Sequence, residues 1–239
     1  MNNVKLLIRG FIAKGLLVLV GVFVSSSLVL AETIAVIGTG NVGGALGPQF
    51  ATLGHDIIYG SREPTRQDVQ ALVARTGHNA TAMLPAEAAA VADIVVMATK
   101  WAQAEVALKS LGDLSGKIIL DPNNAVRLDS SGTRHHDVET SAAQMIQNWA
   151  PNAMVVKAFN TLSAAVMADP ASAGGPVTIP IAGNDAGAKA VIANLVTGIG
   201  FEVVDMGGIA SAHAIEQMLI VRGNASTPYN YYFRPVPQE

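Results

Sequence analysis

A short apolar strand that runs directly into a glycine-rich turn constrains this chain more than any other feature. Residues 34–37 (Ile-Ala-Val-Ile) predict a buried strand, and Gly38, Gly40 and Gly43 follow in the spacing GxGxxG, before a segment of helical character. The first glycine permits a tight turn, the second lets the backbone approach a pyrophosphate, and the third lets the helix pack closely on the strand. Because the amides of the first helical turn can bind an anion, the pattern predicts a dinucleotide-binding βαβ unit.

The end of the second strand, residues 56–59, indicates which dinucleotide binds. A protein that binds the ribose 2′-hydroxyl of NAD places Asp or Glu there, whereas this chain has Gly60, Ser61 and Arg62. Arg62 can pair with a 2′-phosphate, and Ser61 can donate to the same oxygens. Arg66, one helical turn further on, either joins them or lies on a solvated helix face. The sequence therefore favours NADP(H) over NAD(H).

The composition predicts a folded domain and excludes several functions. The 239 residues are 50% hydrophobic and 14% charged, which is enough apolar material for a sizeable core. The chain has no cysteine, which excludes disulfides, thiolate metal sites and thiol nucleophiles. No basic run with interleaved aromatic residues is present, so nucleic acid is not an expected partner. No histidines stand at zinc-ligand spacing, so no metal site is expected.

The first 31 residues form a different kind of segment. Three basic residues precede an uncharged apolar stretch that ends in Val29-Leu30-Ala31, a pattern suited to signal peptidase. Residues 1–31 are therefore expected to be a secretory signal peptide, with an uncleaved membrane tether through residues 11–30 as the alternative. Both readings predict an exported (periplasmic or extracellular) or membrane-anchored protein, and a non-functional leader would leave it cytoplasmic. NADPH is a cytoplasmic metabolite, so leader and cofactor predict different compartments.

Downstream of residue 62, predicted strands and helices alternate with short connections. Strands are expected at 80–84, 93–98, 117–120, 154–158, 179–182 and 202–205, and helices at 67–76, 85–91, 102–111, 138–149, 186–197 and 209–221. This alternation predicts a Rossmann-type α/β fold, a doubly wound and mostly parallel sheet with helices on both faces.

The chain is expected to divide into two regions after the leader. Residues 32–175 are expected to form the NADP-binding Rossmann domain, and residues 176–239 a small C-terminal α/β extension that completes the substrate cleft. The stretch from Ala168 to Pro180, rich in small residues and proline, predicts a surface loop near this boundary.

In a doubly wound sheet, ligands bind outside the carboxyl ends of the strands. Three segments hold that position: Thr99-Lys100-Trp101, residues 121–124 (DPNN) and Phe159-Asn160-Thr161. Asn123 and Asn160 can each offer an amide to the nicotinamide or its ribose, or simply form turns. The Trp101 side chain either packs against the nicotinamide or caps the start of a helix. Lys100 either contacts an anionic group or lies in an exposed loop.

Five segments together resemble a known family: GTGNVG at 38–43, GSR at 60–62, VVKAFNTL at 155–162, AGND at 182–185 and GFEVVDMG at 200–207. They are similar to NADP-dependent oxidoreductases that reduce the deazaflavin coenzyme F420, and to the reductase domain of STEAP metalloreductases. The resemblance implies hydride transfer between NADPH and a deazaflavin or flavin-like ring in a cleft beside the C-terminal extension. The segment ATKW at 98–101 departs from the valine-proline pair of many relatives.

The residues expected to bind NADP(H) follow from these motifs, and no catalytic residue is assigned because the cofactor rings carry the chemistry. They are Gly38, Thr39, Gly40, Asn41, Val42 and Gly43 at the pyrophosphate, Ser61, Arg62 and Arg66 at the 2′-phosphate, and Ala98, Thr99, Lys100, Asn123, Ala158, Phe159 and Asn160 toward the nicotinamide.

Two other functions stay open. One is reduction of a small imine, keto or hydroxy-acid substrate with Lys100 or His213 as donor, and the other is a non-catalytic NADP-binding module. His135 and His136 are expected in a solvated turn within residues 128–137, and His213 and Glu216 on a helix surface. The aromatic tail, Tyr229 to Phe233, either packs on its own domain, covers the crevice or covers a neighbouring subunit, so a homodimer is a further expectation.

Overall fold

The computed structural model describes residues 31–226, 230, 232–234 and 236. Residues 1–30 of the predicted leader (1–31), which include the predicted membrane tether at 11–30, lie outside the described part of the chain, so both stay predictions. The described residues from 31 onward group into one compact unit. In the part of the chain that the structure describes, no helix has the length and apolarity needed to cross a bilayer.

Strands and helices alternate along most of the described chain. The strands are β1 (Thr33–Ile37), β2 (Asp56–Gly60), β3 (Thr81–Met83), β4 (Ile94–Met97), β5 (Ile118–Asp121), β6 (Val126–Leu128), β7 (Arg134–His136), β8 (Met154–Lys157), β9 (Thr178–Gly183) and β10 (Glu202–Asp205). The helices are α1 (Asn41–Thr52), α2 (Gln67–Thr76), α3 (Pro85–Val91), α4 (Trp101–Lys109), α5 (Ala142–Trp149), α6 (Ala164–Ala168), α7 (Ala186–Gly198) and α8 (Ala212–Gly223). Two 3-10 turns lie at Pro170–Ala173 and Ile209–Ser211.

Eight of these strands form one sheet in the order β10-β9-β8-β5-β4-β1-β2-β3, and β6 pairs with β7 in a separate hairpin. All neighbours from β8 to β3 pair parallel, β9 pairs antiparallel with β8, and β10 pairs parallel with β9. The region after residue 176 therefore continues the same sheet. The predicted Rossmann-type, mostly parallel sheet is confirmed.

Side chains of each central strand alternate between two hydrophobic cores, one on each face of the sheet. In β1, Ile34 and Val36 belong to the core that also contains Phe50 of α1, whereas Ala35 and Ile37 belong to the core covered by α3, α4, α5 and α8. Alternation follows from the two-residue period of a strand, and burial on both faces explains why these strands are continuous apolar runs.

The structure corrects four element predictions. The helix predicted from residue 138 begins at Ala142, because Ser141 caps it by accepting the Gln144 N–H at 3.0 Å. Residues 128–137 are not a simple solvated turn, since β6 and β7 pair antiparallel within and beside them. The predicted loop 168–180 includes a 3-10 turn and the start of β9. The last helix also starts later than predicted, after a 3-10 turn.

The topology brings the predicted site segments to one edge of the sheet. Strands β1, β2, β4, β5 and β8 are mutually parallel, so their carboxyl ends lie on the same side. The residues that follow these strands come from five distant parts of the sequence. They form the crevice in which ligands of doubly wound sheets bind.

Candidate functional site

At two positions in and after the turn that follows β1, the backbone accommodates only glycine. Gly38 has φ of +112°, and a Cβ there would lie 2.5 Å from the Ala98 carbonyl oxygen. A Cβ on Gly43 would lie 2.0 Å from the Gly38 oxygen. Both predicted glycine roles are visible here: the tight turn at Gly38 and the close approach of α1 to the strand at Gly43.

Gly40 differs from its two neighbours because the space beside it is open. No heavy atom lies within 4 Å of a Cβ built on Gly40, and its φ of −81° is accessible to any residue. Gly40 precedes α1, and no side chain caps that helix start. Gly40 and Asn41 are exposed, whereas Thr39 and Val42 are half-buried. The open space at an uncapped helix N-terminus fits a pyrophosphate.

Two arginines follow the end of β2, and they differ in whether a neighbouring side chain already pairs with them. Ser61 is buried, and its Oγ accepts the Glu63 N–H at 3.2 Å. Arg62 is exposed and forms no hydrogen bond or ion pair with any described residue. Arg66 is exposed too, but its Nε lies 2.5 Å from the Asp68 carboxylate. Arg62 is therefore the better placed of the two for a 2′-phosphate.

The residues after β4 supply a hydroxyl and a peptide backbone. Thr99 is half-buried, and its Oγ1 is fully buried without a hydrogen-bond partner among the described residues. Ala98 is half-buried and Lys100 is exposed at the start of α4. Trp101 donates to Asp137 at 2.9 Å and stacks on Trp149. These contacts engage both the polar edge and the face of the indole, which favours the structural role for Trp101.

Three asparagines lie where β5 and β8 end. Asn123 is buried and donates through Nδ2 to the Met97 carbonyl at 2.7 Å, which ties the end of β5 to that of β4. Asn124 and Asn160 exchange hydrogen bonds: Asn160 Nδ2 donates to Asn124 Oδ1 at 2.9 Å, and Asn124 Nδ2 donates to the Asn160 carbonyl at 3.0 Å. Asn160 is 3% exposed, and its Oδ1 has no hydrogen-bond partner in the described part of the chain. A buried amide oxygen without a donor fits a ligand N–H or O–H.

The backbone between β8 and Asn160 is held in an unusual conformation. Phe159 has φ of +65°, which is uncommon for a residue with a large side chain. Its ring is fully buried and packs edge-on against Phe50 and Phe201 at centroid distances of 6.3 and 6.2 Å. Ala158 is also fully buried. The Phe159 side chain therefore lies in the core, and only the backbone of this segment can contact a nicotinamide.

A buried group of three charged side chains lies beneath the asparagines, and none of the three was predicted to bind the cofactor. Lys157 Nζ is 2.5 Å from Asp121 Oδ2 and 2.7 Å from Glu216 Oε1, and all three side chains are fully buried. Lys157 also donates to the Asn123 carbonyl at 2.6 Å. Burial raises the pKa of the Asp121 carboxyl, while Lys157 opposes the rise and Glu216 adds to it.

Glu216 corrects the prediction of a surface pair on the last helix. Its carboxylate is fully buried and accepts the backbone N–H groups of Ala125 and Ala142 at 2.9 to 3.1 Å. His136, predicted in a solvated turn, is instead mostly buried, with Nε2 3.4 Å from Glu216 Oε2. A sequence signal existed: Asp121 and Lys157 end apolar strands, and a charge there must be paired if the strand is buried.

The arrangement fits a bound dinucleotide phosphate at one end and a nicotinamide at the other. The open space beside Gly40 leaves room for a ligand. Two buried oxygens, Thr99 Oγ1 and Asn160 Oδ1, can still form hydrogen bonds with it. Within the described residues, no group of three or more His, Asp or Glu side chains is placed to hold a metal ion.

Comparison with known proteins gives the same assignment. The family described as "NADP oxidoreductase coenzyme F420-dependent" matches residues 33–125. The F420-dependent NADP reductase of Methanothermobacter thermautotrophicus is 30% identical over 207 residues, 80% of this chain and 87% of that protein. A crystal structure from Arthrobacter sp. FB24, provisionally assigned as an F420-dependent NADP reductase, has a TM-score of 0.74 and 35% identity over 80% of this chain and 91% of its own.

The rat metalloreductase STEAP3 is a further relative, 28% identical over 188 residues. The match covers 78% of this chain but only 36% of STEAP3, so the chain spans about a third of that relative's length. The likeness to the Methanothermobacter protein, in contrast, covers most of both chains. These similarities and the dinucleotide crevice confirm the resemblance seen in the motifs: the chain belongs to the F420-dependent NADP oxidoreductase family and is an NADP-dependent oxidoreductase.

Proposed function

We propose that this protein transfers a hydride between NADP(H) and a deazaflavin or flavin-like ring that binds in the crevice against the nicotinamide. The observation that carries the proposal is the extent of the likeness to the Methanothermobacter reductase, which spans 87% of that protein. The likeness covers 80% of this chain and therefore includes β8 and Asn160, which lie after the residues that the family model matches.

Each half of the crevice has a distinct task in this proposal. The turn at Gly38–Gly43 and the start of α1 hold the pyrophosphate, and Arg62 with Ser61 holds the 2′-phosphate. Thr99 Oγ1 and Asn160 Oδ1, both buried and without a hydrogen bond to any described residue, orient the nicotinamide and its ribose. NADPH, when bound, supplies the hydride.

Hydride transfer between two rings needs position more than acid and base groups, and the side chains of this crevice suit that requirement. Beside the proposed nicotinamide position, Asn160 offers an amide and Thr99 a hydroxyl. The nearby charges of Asp121, Lys157 and Glu216 are fully buried and bonded to each other. His213, considered as a proton donor, has its Nδ1 against the Thr140 carbonyl and its Nε2 3.3 Å from the Gln217 amide.

Stopped-flow mixing of the full-length protein with NADPH tests the proposal. NADPH oxidation is followed at 340 nm with coenzyme F420, with riboflavin 5′-phosphate, and with a panel of small imines, ketones and hydroxy acids. Rapid oxidation with either ring acceptor supports the proposal, while oxidation only with the small substrates, or tight binding without any turnover, overturns it. The Gly40→Val variant, which should not bind the dinucleotide, gives the background rate.

A further inference from the structure

The side-chain amide of Asn160 is held in one of its two possible orientations. Its Nδ2 donates to Asn124 Oδ1 at 2.9 Å and to the Ile215 carbonyl at 3.4 Å. A backbone carbonyl can only accept, so the end of the amide that faces Ile215 must be the NH₂ group. Both N–H groups of that end are then in use. The end that remains is Oδ1, which is buried and has no hydrogen bond to any described residue.

Asn124 fixes the same orientation from the other side. Its Nδ2 donates to the backbone carbonyl of Asn160 at 3.0 Å. Because that carbonyl requires a donor, Asn124 turns its Oδ1 toward the Asn160 side chain, and an oxygen there accepts only from an NH₂ group. If the Asn160 amide were turned over, its oxygen would face two other oxygens, those of Asn124 and Ile215. The three contacts together exclude the reversed amide.

The Ile215 carbonyl is itself held in place by the residue that follows it. Glu216 Oε1 lies 2.7 Å from Lys157 Nζ in the buried cluster of Asp121, Lys157 and Glu216. Lys157 is the last residue of β8, and Asn160 follows three residues later. The cluster therefore fastens α8 to the strand end from which the Asn160 segment begins, so the distance between Ile215 and Asn160 is set by packed elements.

A buried acceptor that cannot turn round selects its ligand. Buried polar atoms in folded proteins nearly always have a hydrogen-bond partner, so Asn160 Oδ1 suits a ligand that donates. The nicotinamide half of NADP(H) has donors of two kinds, the carboxamide NH₂ and the ribose hydroxyls. Thr99 differs, because its hydroxyl can rotate and either donate or accept. Of these two buried groups, Asn160 is therefore the one that distinguishes a donor from an acceptor.

We propose that Asn124 is a positioning residue that fixes Asn160 as an acceptor-only group for an N–H or O–H donor on the nicotinamide half of NADP(H). Asn124 acts through Asn160, by its two hydrogen bonds to that residue. The inference rests on the nicotinamide position in the proposed function. It does not depend on which ring or small molecule accepts the hydride.

Calorimetric titration of the full-length protein with three nucleotides tests the proposal without any second substrate. NADP has both kinds of donor, its 3-acetylpyridine analogue lacks the carboxamide NH₂, and adenosine 2′,5′-bisphosphate lacks the nicotinamide and its ribose. Asn124→Leu and Asn160→Ala should each weaken NADP about tenfold, the scale of one or two hydrogen bonds, and leave the bisphosphate within about twofold of native.

The analogue identifies the donor. If the two variants bind it as the native protein does, the carboxamide N–H is the group that Asn160 accepts, and if they weaken it as much as NADP, a ribose hydroxyl is. Native affinity for NADP in both variants, with native binding of the bisphosphate, overturns the proposal while the dinucleotide site itself stands. An equal loss for NADP and the bisphosphate shows a general disruption of the crevice and also overturns it.

A double variant tests whether Asn124 acts through Asn160. If it does, Asn124→Leu combined with Asn160→Ala should bind NADP within about twofold of Asn160→Ala alone. Two independent contacts would instead multiply their losses to about a hundredfold, which would contradict the positioning role. Asn194→Leu is the matched control, since Asn194 is exposed on α7, and we expect native affinity for all three nucleotides from it.

Discussion

The carbonyl oxygen of Gly38 occupies the space in which a side chain on Gly43 would begin, since a Cβ there would lie only 2.0 Å away. Gly43 is therefore required by the fold itself. Gly40, three residues earlier, has open space at the corresponding position and an ordinary φ. The two glycines of one motif thus separate into a structural and a ligand-binding role, which mutation can distinguish.

Gly40→Val should fold but lose the dinucleotide. The valine side chain would project into the open space that we assign to the pyrophosphate, so binding of NADPH should weaken by more than about 100-fold, or ~2.7 kcal/mol. The substitution should lower the free energy of unfolding by only about 1 kcal/mol, the usual effect of changing an N-cap residue. Calorimetric titration and thermal unfolding measure the two effects.

Gly43→Val is the matched variant and should give the opposite pattern. Its side chain would overlap backbone, so the free energy of unfolding should fall by about 1–3 kcal/mol or more. If a stably folded Gly40→Val protein bound NADPH with native affinity, the assignment of pyrophosphate binding to this turn would be wrong.

Arg62→Asp should convert the cofactor preference. The substitution removes a charge-assisted contact to the 2′-phosphate, worth about 1.5–3 kcal/mol, and adds like-charge repulsion. We expect NADP to bind at least about tenfold more weakly, with NAD little changed. Arg66→Asp should have a smaller effect, because Arg66 already pairs with Asp68. Dissociation constants for both cofactors measure the difference, and an equal loss for NADP and NAD would contradict the assignment to Arg62.

The first βαβ unit was predictable because its signals are local. A buried strand, three glycines at fixed spacing and the next strand all fall within about thirty residues, and each follows from chain geometry alone. The prediction of β1 and β2 matches the structure to within one residue. The binding of NADP rather than NAD was likewise indicated by Ser61 and Arg62, which stand in a fixed place after the second strand.

The β6–β7 hairpin could not be predicted, because each strand has three residues and shows no alternation. It depends instead on Asp129, whose Oδ1 accepts the backbone N–H groups of Ser131 and Thr133. The buried cluster was missed for a different reason. Glu216 meets Asp121 and Lys157 only after α8 packs on the sheet, and contacts between such distant segments have no spacing signature.

Lys157→Met should destabilise the fold strongly and in a pH-dependent way. It leaves two buried carboxylates without their cation, a change that costs about 3–5 kcal/mol. Burial already raises the pKa of Asp121, and Lys157 opposes that rise. In the variant the folded state should therefore bind protons more readily than the unfolded chain, so its stability should fall as pH rises above about 4.

Lys117→Met is the control for the loss of a lysine. Lys117 donates to the carbonyls of Ala90 and Ala92 but forms no ion pair with a described residue, and it is only half-buried. We expect Lys117→Met to lower the free energy of unfolding by less than Lys157→Met does, and to leave the pH dependence of stability unchanged. Denaturant unfolding of both variants at pH 5 and pH 8 provides the comparison, and equal losses at both pH values for Lys157→Met would argue against the buried cluster.

His55 should make the fold less stable in acid. Its side chain is 4% exposed, and its Nδ1 accepts the Glu32 N–H at 3.0 Å, a role that requires an unprotonated nitrogen. Burial lowers the pKa of His55, although Asp56 opposes the shift. Below about pH 6.5 the unfolded chain therefore binds a proton that the folded protein does not. The contribution of His55 to the free energy of unfolding should be complete at neutral pH. It should decline as the pH falls through the lowered pKa of His55 in the folded state, by at most ~1.4 kcal/mol per pH unit for one proton.

His55→Asn should remove this component, because the asparagine Oδ1 can accept the same backbone N–H without titrating. The difference in unfolding free energy between native protein and variant should be larger at pH 7.5 than at pH 5.5, and comparing the two proteins cancels all other titrating groups. His78→Asn is the matched control: His78 is exposed and has φ of +47°, a region that asparagine tolerates. A pH-independent difference for His55→Asn, or the same pH dependence in His78→Asn, would show that the buried imidazole does not set the acid sensitivity.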